Sequence, residues 1–588
     1  MNRTRLTTAA AATAAAVLAA GCSADGAGAG AGGADGEPRR GGTLRLLGAA
    51  DVDHLDTASV YSPNGTALMR AISRQLVTFP TTKDEKDAIG LVPDLATEVP
   101  RPADSRTFSF TIREGATWDA GESGRQITGA DVERGFKRLC NPVVPSAGAS
   151  YYIDAIEGMR AFCDGFGKVA KNVTAIREYV EKNDITGIVT KGEREVTFRL
   201  TAPMGDFTNL LALVSASPAP AESLDHLPDS PDYRRTVVSS GPYRVSDYRA
   251  DQKIVLDRNP AWKAASDPLR KAYVDRIEIT FGATQDSVMQ QLQAGTVDLP
   301  WDTVVPPALL PGLAAAKDDR LLIVKTGATE PYLAINLRSP NNGKALSKLK
   351  VRQALAYAVD KKAVLQVQGG ATVGQIQNQL FVSTLIGSEP FDPYPTPGHR
   401  GDPDKARALL AEAGHPDGLT LKLPYRTKDQ YPQVAQALQA GLAKAGITLK
   451  LIPVTPNDYY GEWLTNDAAQ TSGRWDIAPA GWAPDAPGTS HRTVYDPLIR
   501  KPSVTGSYNY GSYSNPKADA LADRALATSD ERTAAELWNR IDRMVMSDVP
   551  LIPIAVRNQA LYRGANTAGV VANSLSKWPD WTQLWLKK

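Results

Sequence analysis

Thr107-Phe108-Ser109-Phe110-Thr111-Ile112 leads, through Arg113-Glu114-Gly115, into Trp118-Asp119-Ala120-Gly121 and then Thr128-Gly129-Ala130-Asp131-Val132. From Thr107 to Ile112 polar and apolar residues alternate, the period of a strand with one face on a core and one in water. Working outward, the same period returns at Asp275-Arg276-Ile277-Glu278-Ile279-Thr280-Phe281, and Gly241-Pro242-Tyr243 punctuates the chain before the strand-like run Ile254-Val255-Leu256. Helical spacing is interleaved with it. Ser287 to Ala294 places Val288, Met289 and Leu292 on one side. Asp402 is a cap with Pro403 at the first helical position, Ala406, Leu409, Leu410 and Ala413 form the stripe, and Gly414 stops the helix. Val434, Leu438 and Leu442 repeat at four-residue spacing until Gly446, between strand candidates Leu419–Leu423 and Ile447–Ile452, which predicts a βαβ unit. Thr528 and Glu531 have capping-box spacing ahead of Leu537, Ile541 and Val545, and Pro550 closes that segment. No period of 20–50 residues recurs, so the chain is mixed α/β and not a repeat array.

The full chain has 588 residues, with 66 Lys+Arg against 64 Asp+Glu, 42% hydrophobic and 22% charged residues. At roughly 100–200 residues per domain, that length predicts three or four structural units. The composition excludes a disordered chain, a collagen and a multi-span membrane protein. A net charge of +2 supplies no field for a nucleic-acid backbone.

The amino terminus reads as a targeting segment. Arg3 and Arg5 precede an uncharged run from Leu6 to Ala20, too short to span about 30 Å of hydrocarbon but suited to a signal-peptide core. It ends in Leu18-Ala19-Ala20-Gly21-Cys22, which resembles the lipobox of bacterial lipoproteins, with Ala19 where leucine is usual. The resemblance implies removal of residues 1–21 and a diacylglycerol thioether on Cys22; the alternative is an ordinary secretory signal cleaved nearby. Removing residues 1–21 takes Lys+Arg from 66 to 64 and removes no acid, so the mature chain is charge-neutral. From Ser23 to Gly36 the chain is almost wholly Ala, Gly and Asp, so 22–40 is expected to be a flexible linker, with the folded part beginning near Gly41. With Cys22 assigned to lipid, Cys140 and Cys163 remain, in a compartment where disulfides persist. They either bridge each other or are two buried thiols.

Catalytic signatures are sparse. The chain has no GxxxxGK[ST] loop, no HExxH helix and no GxSxG elbow. His54, His226, His399, His415 and His491 lie far apart without ligand spacing. No enzyme and no cofactor is expected. Tyr (20) and Trp (10) together outnumber Phe (11), and aromatics with a polar handle suit a cleft that is alternately wet and dry.

The opening stretch also resembles a long signature, F-x-LR-x-G-x-x-W-x-DG-x-x-TA-x-DV, of family 5 extracytoplasmic solute-binding proteins, the peptide and nickel group of ABC importers. Further stations follow in that family's order. They are Ser240-Gly241-Pro242-Tyr243 with Arg258-Asn259-Pro260-Ala261-Trp262, and Leu292 to Asp298. Next come Val351-Arg352-Gln353-Ala354-Leu355 with Ala358-Val359-Asp360, and Asp402 to Gly414. Gly481-Trp482 with Asp485, and Tyr508-Asn509-Tyr510 with Tyr513 to Pro516, complete the set.

The resemblance implies an α/β, two-lobed fold like that of the periplasmic binding proteins (type II, cluster C), with an extra subdomain in lobe I and two crossing hinge segments. By motif position, lobe I is 41–326 with the subdomain at about 80–205, lobe II is 327–557, and 558–588 returns to lobe I. It implies a monomer, lipid-anchored at Cys22 to the outer face of the cell membrane. The monomer would capture an oligopeptide between its lobes and deliver it to an ABC permease. In the peptide-binding members an aspartate a few residues after Gly-Trp holds the ligand's ammonium, and Asp485 matches it, although Ala486-Pro487-Gly488 follow where acids or aromatics are common. Trp482 is expected to line the pocket, Tyr61 to lie where the first lobe meets peptide backbone, Tyr459 to stack near the ligand, and Asn509 to contact it. The alternatives are a non-peptide solute such as a sugar or metal chelate, or a secreted hydrolase or peptide-signal sensor on the same scaffold.

Overall fold

Alternation at Leu44, Leu46, Ile277 and Ile279 aims these side chains into one layer, and the strands that carry them pair in parallel, Leu44 beside Ile277 and Leu46 beside Ile279. The computed structural model describes residues 36–588 except 103, 121–123, 145, 386, 486–489, 502–507, 529 and 575, and it leaves the side chains of 85, 86, 147, 457 and 531 undescribed. The signal peptide, Cys22, most of the linker and Gly121 therefore lie outside the described residues. Pro38–Lys588 form one compact unit.

Two central sheets organise that unit. The first has the order Leu299–Pro300, Thr43–Leu47, Arg276–Thr280, Lys253–Arg258, Tyr243–Arg249. Its core joins Leu44, Leu46, Ile254, Leu256, Ile277 and Ile279 to Trp301 and Trp581. The second has the order Gly374–Ile376, Ala555–Tyr562, Leu321–Ile335, Ile477–Trp482, all antiparallel, with Leu551–Pro553 also on Leu321–Ile335. The 15-residue strand Leu321–Ile335 is the longest of the described strands, and its register against Ala555–Tyr562 shifts between Lys325 and Ala328.

The predicted βαβ unit is present: Leu419–Arg426 and Ile447–Val454 pair in parallel across the helix Tyr431–Ala443. Asp402 caps the helix Pro403–Glu412 by accepting the Lys405 N–H, and Thr284 caps Gln285–Ala294. One cap differs from expectation. The helix Glu531–Asp548 starts from Asp530, whose carboxylate accepts the Thr533 N–H, and the Thr528 hydroxyl instead accepts the Asp530 N–H. An acid beside the helix start reaches the free amides that Thr528, two residues further out, does not.

The opening stretch folds into a separate layer. Thr107–Thr111 alternates exposed and buried, and it pairs with Glu195–Arg199, which pairs with Ile188–Lys191. Phe108, Phe110, Trp118, Val132 and Phe136 share one core with Phe162, Phe166, Phe198 and Phe207. Asp131 explains why the signature holds together. Its carboxylate accepts the Trp118 indole N–H at 3.1 Å and the Thr128 amide at 2.9 Å, and pairs with Arg125 and Arg134. Cys140 and Cys163 are joined by a disulfide at the edge of this core, with Cα atoms 5.3 Å apart.

Candidate functional site

Asp485 stands just beyond the strand Ile477–Trp482 and meets residues from distant parts of the chain. Its Oδ2 accepts the Tyr61 hydroxyl at 2.7 Å and the Tyr151 hydroxyl at 2.5 Å. Each tyrosine is held locally. The Asp53 carboxylate accepts the amides of Tyr61 and Ser62 and the Ser62 hydroxyl, and Ser62 in turn caps the helix Pro63–Ile72. Tyr151 ends the 3-10 turn Ala147–Tyr151, which Ser146 caps. Tyr61 stacks on Tyr508 at 6.2 Å between centroids, and Tyr508 tilts against Trp482 at 5.0 Å. Trp482 is fixed by its indole N–H, which donates to the Thr493 carbonyl at 2.9 Å.

The electrostatics follow from this packing. Burial pushes the Asp485 carboxyl above the ordinary range, opposed by the hydroxyls of Tyr151 and Tyr61 and the charge of Lys577. Desolvation first, and then the Asp485 charge, raise both tyrosines well above 10, so each remains a hydroxyl donor, with Tyr151 buried and the Tyr61 residue 37% exposed. Burial lowers the Lys577 ammonium, with Asp485 opposing. A cavity of about 110 Å³ opens between these groups, lined by Tyr61, Tyr151, Asp485, Lys577, Ser59 and Ser215 among others. At roughly 10–15 Å³ per water, it holds several waters or a small polar group.

Three of the five ligand residues expected from the sequence, Asp485, Tyr61 and Trp482, thus converge. The other two have different surroundings. Tyr459 is fully buried and its hydroxyl donates to the Pro479 carbonyl at 2.8 Å. Asn509 is buried, its amide donates to the carbonyls of Ile499, Arg500 and Tyr513, and its Oδ1 accepts the Tyr513 N–H. Their polar atoms hold backbone, and neither residue lines the cavity of Asp485.

Sequence reasoning missed Tyr151, Tyr508, Ser59 and Lys577. Tyr508 lay inside a quoted motif, whereas Lys577 belongs to none.

A second charged group lies on the strand Leu321–Ile335. Glu330 accepts the Tyr431 hydroxyl at 2.7 Å and lies 3.5 Å from Arg426, whose guanidinium sits 4.0 Å over the Tyr431 ring. Burial favours the neutral acid, but Arg557 and Arg426 outweigh it and hold Glu330 below its usual value. Among the described residues, no group of three or more His, Cys, Asp or Glu is placed to hold a metal ion, and no helix is long and apolar enough to cross a membrane.

Two central sheets, with a half-buried carboxylate in a cavity lined from distant parts of the chain, fit a two-lobed solute-binding protein. The chain belongs to the bacterial extracellular solute-binding proteins, family 5, whose middle region matches residues 90–496. It is 28% identical over 509 residues to heme-binding protein A of Haemophilus influenzae, covering 83% of this chain and 82% of that protein. It is 25% identical over 470 residues to the periplasmic oligopeptide-binding protein OppA of Salmonella typhimurium, covering 77% and 76%. Among solved structures, clavulanic acid biosynthesis oligopeptide binding protein 2 superposes with a TM-score of 0.83 at 29% identity, covering 95% of this chain and 98% of that one.

Proposed function

We propose that this protein is a lipid-anchored receptor that captures an oligopeptide between its lobes and delivers it to an ABC import permease without chemical change. The observation that carries the reading is Asp485, a carboxylate burdened by burial, facing a cavity and held by two hydroxyls that leave acceptor capacity on it. A desolvated ammonium needs such an ionised acceptor. Relatives support the ligand class, since several are named for oligopeptides or dipeptides. In this reading lobe I is 41–326 with the subdomain at about 80–205 and 558–588 returning to it, and lobe II is 327–557. The register shift between Lys325 and Ala328 falls at the proposed hinge. Beyond it, Ala560 and Tyr562 pack with Leu47 of the first sheet and with Val297, just ahead of its strand Leu299–Pro300. Cys22 would carry the anchor and Trp482, Tyr508 and Tyr61 the aromatic wall.

The test is a thermal-shift and calorimetric screen with free and N-acetylated peptides, followed by mass spectrometry of the recovered ligand. Peptide is expected to raise the melting temperature by mass action and to be recovered intact. Asp485→Asn is expected to weaken free peptides roughly tenfold or more while costing acetylated ones little, as the loss of a charge-assisted bond requires. Equal losses, a response only to sugars or metal chelates, or cleaved peptide would each overturn the proposal.

A further inference from the structure

The Asp485 cavity contains a cation as well as an anion. Lys577 lines it, and the Lys577 ammonium makes one hydrogen bond among the described residues, at 3.4 Å to the Pro484 carbonyl, and no ion pair within 4.0 Å. An ammonium carries three donors, so the protein leaves this one under-coordinated. Its backbone is in the left-handed region, at φ 56°. Ser59 lines the same cavity, is 7% exposed, and its hydroxyl has no hydrogen-bond partner among the described residues. A buried donor without a partner costs roughly 1–3 kcal/mol and is a place where a missing group belongs.

The charges sharpen the point. Asp485 and Lys577 together make the empty cavity neutral. A ligand end bearing only an ammonium would leave it with an uncompensated positive charge, and the ligand ammonium would have to share Asp485 with Lys577. A ligand that brings a carboxylate beside its ammonium keeps the site neutral and supplies Lys577 with its partner.

Resting on the peptide reading above, we infer that Lys577 and Ser59 form an anion subsite next to Asp485, so that the protein prefers ligands with a carboxylate close to the ammonium. That carboxylate is either an acidic side chain on the first residue of a peptide or the α-carboxylate of a single amino acid.

Calorimetry with Glu-Ala-Ala, Gln-Ala-Ala and free glutamine separates the sources. A side-chain source predicts that Glu-Ala-Ala binds roughly tenfold or more tightly than Gln-Ala-Ala, the worth of one charge-assisted bond. An α-carboxylate source predicts that free glutamine binds and that the two tripeptides do not differ. In either case the preference, measured as a ratio of affinities, is expected to collapse in Lys577→Met and survive in Lys577→Arg; both variants are checked for an unchanged circular-dichroism spectrum. If Gln-Ala-Ala binds in an Asp485-dependent way, yet glutamate gives no advantage and free glutamine does not bind, this inference fails and the peptide reading stands. A preference that persists in Lys577→Met also overturns the inference. If neither the peptides nor free glutamine bind, both fall.

Discussion

A single carboxylate sets the pH behaviour of the site. Burial holds Asp485 above the ordinary carboxylate range in the unliganded protein, with Tyr151 and Tyr61 pulling the other way. Only its ionised form attracts an ammonium. Affinity for a peptide with a free amino terminus is therefore expected to fall as pH drops through the raised Asp485 value and to reach a plateau above it, with up to one proton released per ligand bound. Isothermal titration in buffers of different ionisation enthalpy measures that proton. The same slope for an N-acetylated peptide would show that another group titrates. Reading from sequence reached Asp485 only through the family resemblance at Gly481-Trp482, and the structure sets that carboxylate on a cavity. That reading did not find Tyr151 or Lys577, because their meeting with Asp485 is made by the fold alone, across 334 positions in the case of Tyr151.

At the scale of elements, most of the motifs that made the chain legible are joints and not contacts for a ligand. Asn259 is buried, its amide donates to the Gly241 carbonyl, and a Cβ at Gly241 would lie 2.5 Å from the Ala71 carbonyl oxygen. Arg352 donates to the Asp548, Leu346 and Ser347 carbonyls, tying the helix Leu349–Ala358 to the end of the helix Glu531–Asp548. Such joints read from sequence because each fixes a local geometry within a few residues of a Gly or Pro; the spatial pairing of sheets does not.

The heaviest joint was not anticipated. Asp94 and Asp267 are buried with Arg74 and Arg270, bridging the end of the helix Pro63–Ile72 to the loop after Trp262. Burial alone would raise Asp94, but Arg270 and Arg74 hold it far below the ordinary range. A depressed carboxylate stabilises the fold fully above its unfolded value of about 3.9, and that contribution is lost progressively as pH falls from there through the depressed native value. Asp94→Asn leaves buried guanidinium charge uncompensated and is expected to cost about 3–5 kcal/mol in urea unfolding at pH 7, with the difference from the parent protein shrinking toward pH 3. A cost under about 1 kcal/mol at pH 7 would show that Asp267 alone suffices for both arginines.

Over the whole molecule, segments of the two proposed lobes also meet away from Asp485. Asp206 is one such place. Its Oδ2 accepts the Ser490 hydroxyl at 2.9 Å, and its Oδ1 lies 3.6 Å from Arg492, whose guanidinium also donates to the Met204 sulfur at 2.9 Å. Nearby, the Gly205 amide donates to the Leu526 carbonyl. In the proposed division, residues 204–206 belong to lobe I and 490–526 to lobe II, so these bonds are made only in the closed form. They are separate from the cavity of Asp485 and Lys577, which Asp206 does not line. Asp206→Ala removes the acceptor and leaves Arg492 with Asp496 as its nearby charge. The expected result is a shift of the population toward the open form and not a change in what the cavity recognises. If the closed fraction falls to about a tenth, every ligand loses about tenfold in apparent affinity, because the observed constant scales with the competent fraction. Small-angle scattering of the unliganded variant is expected to give a larger radius of gyration, and saturating ligand to restore the parent value. The ratio between acidic and neutral peptides is expected to stay as in the parent protein. A ratio that changed with Asp206 would mean that the latch and the recognition site are one electrostatic unit; an unchanged radius together with a uniform loss would place the effect in local packing around Arg492 instead of in closure.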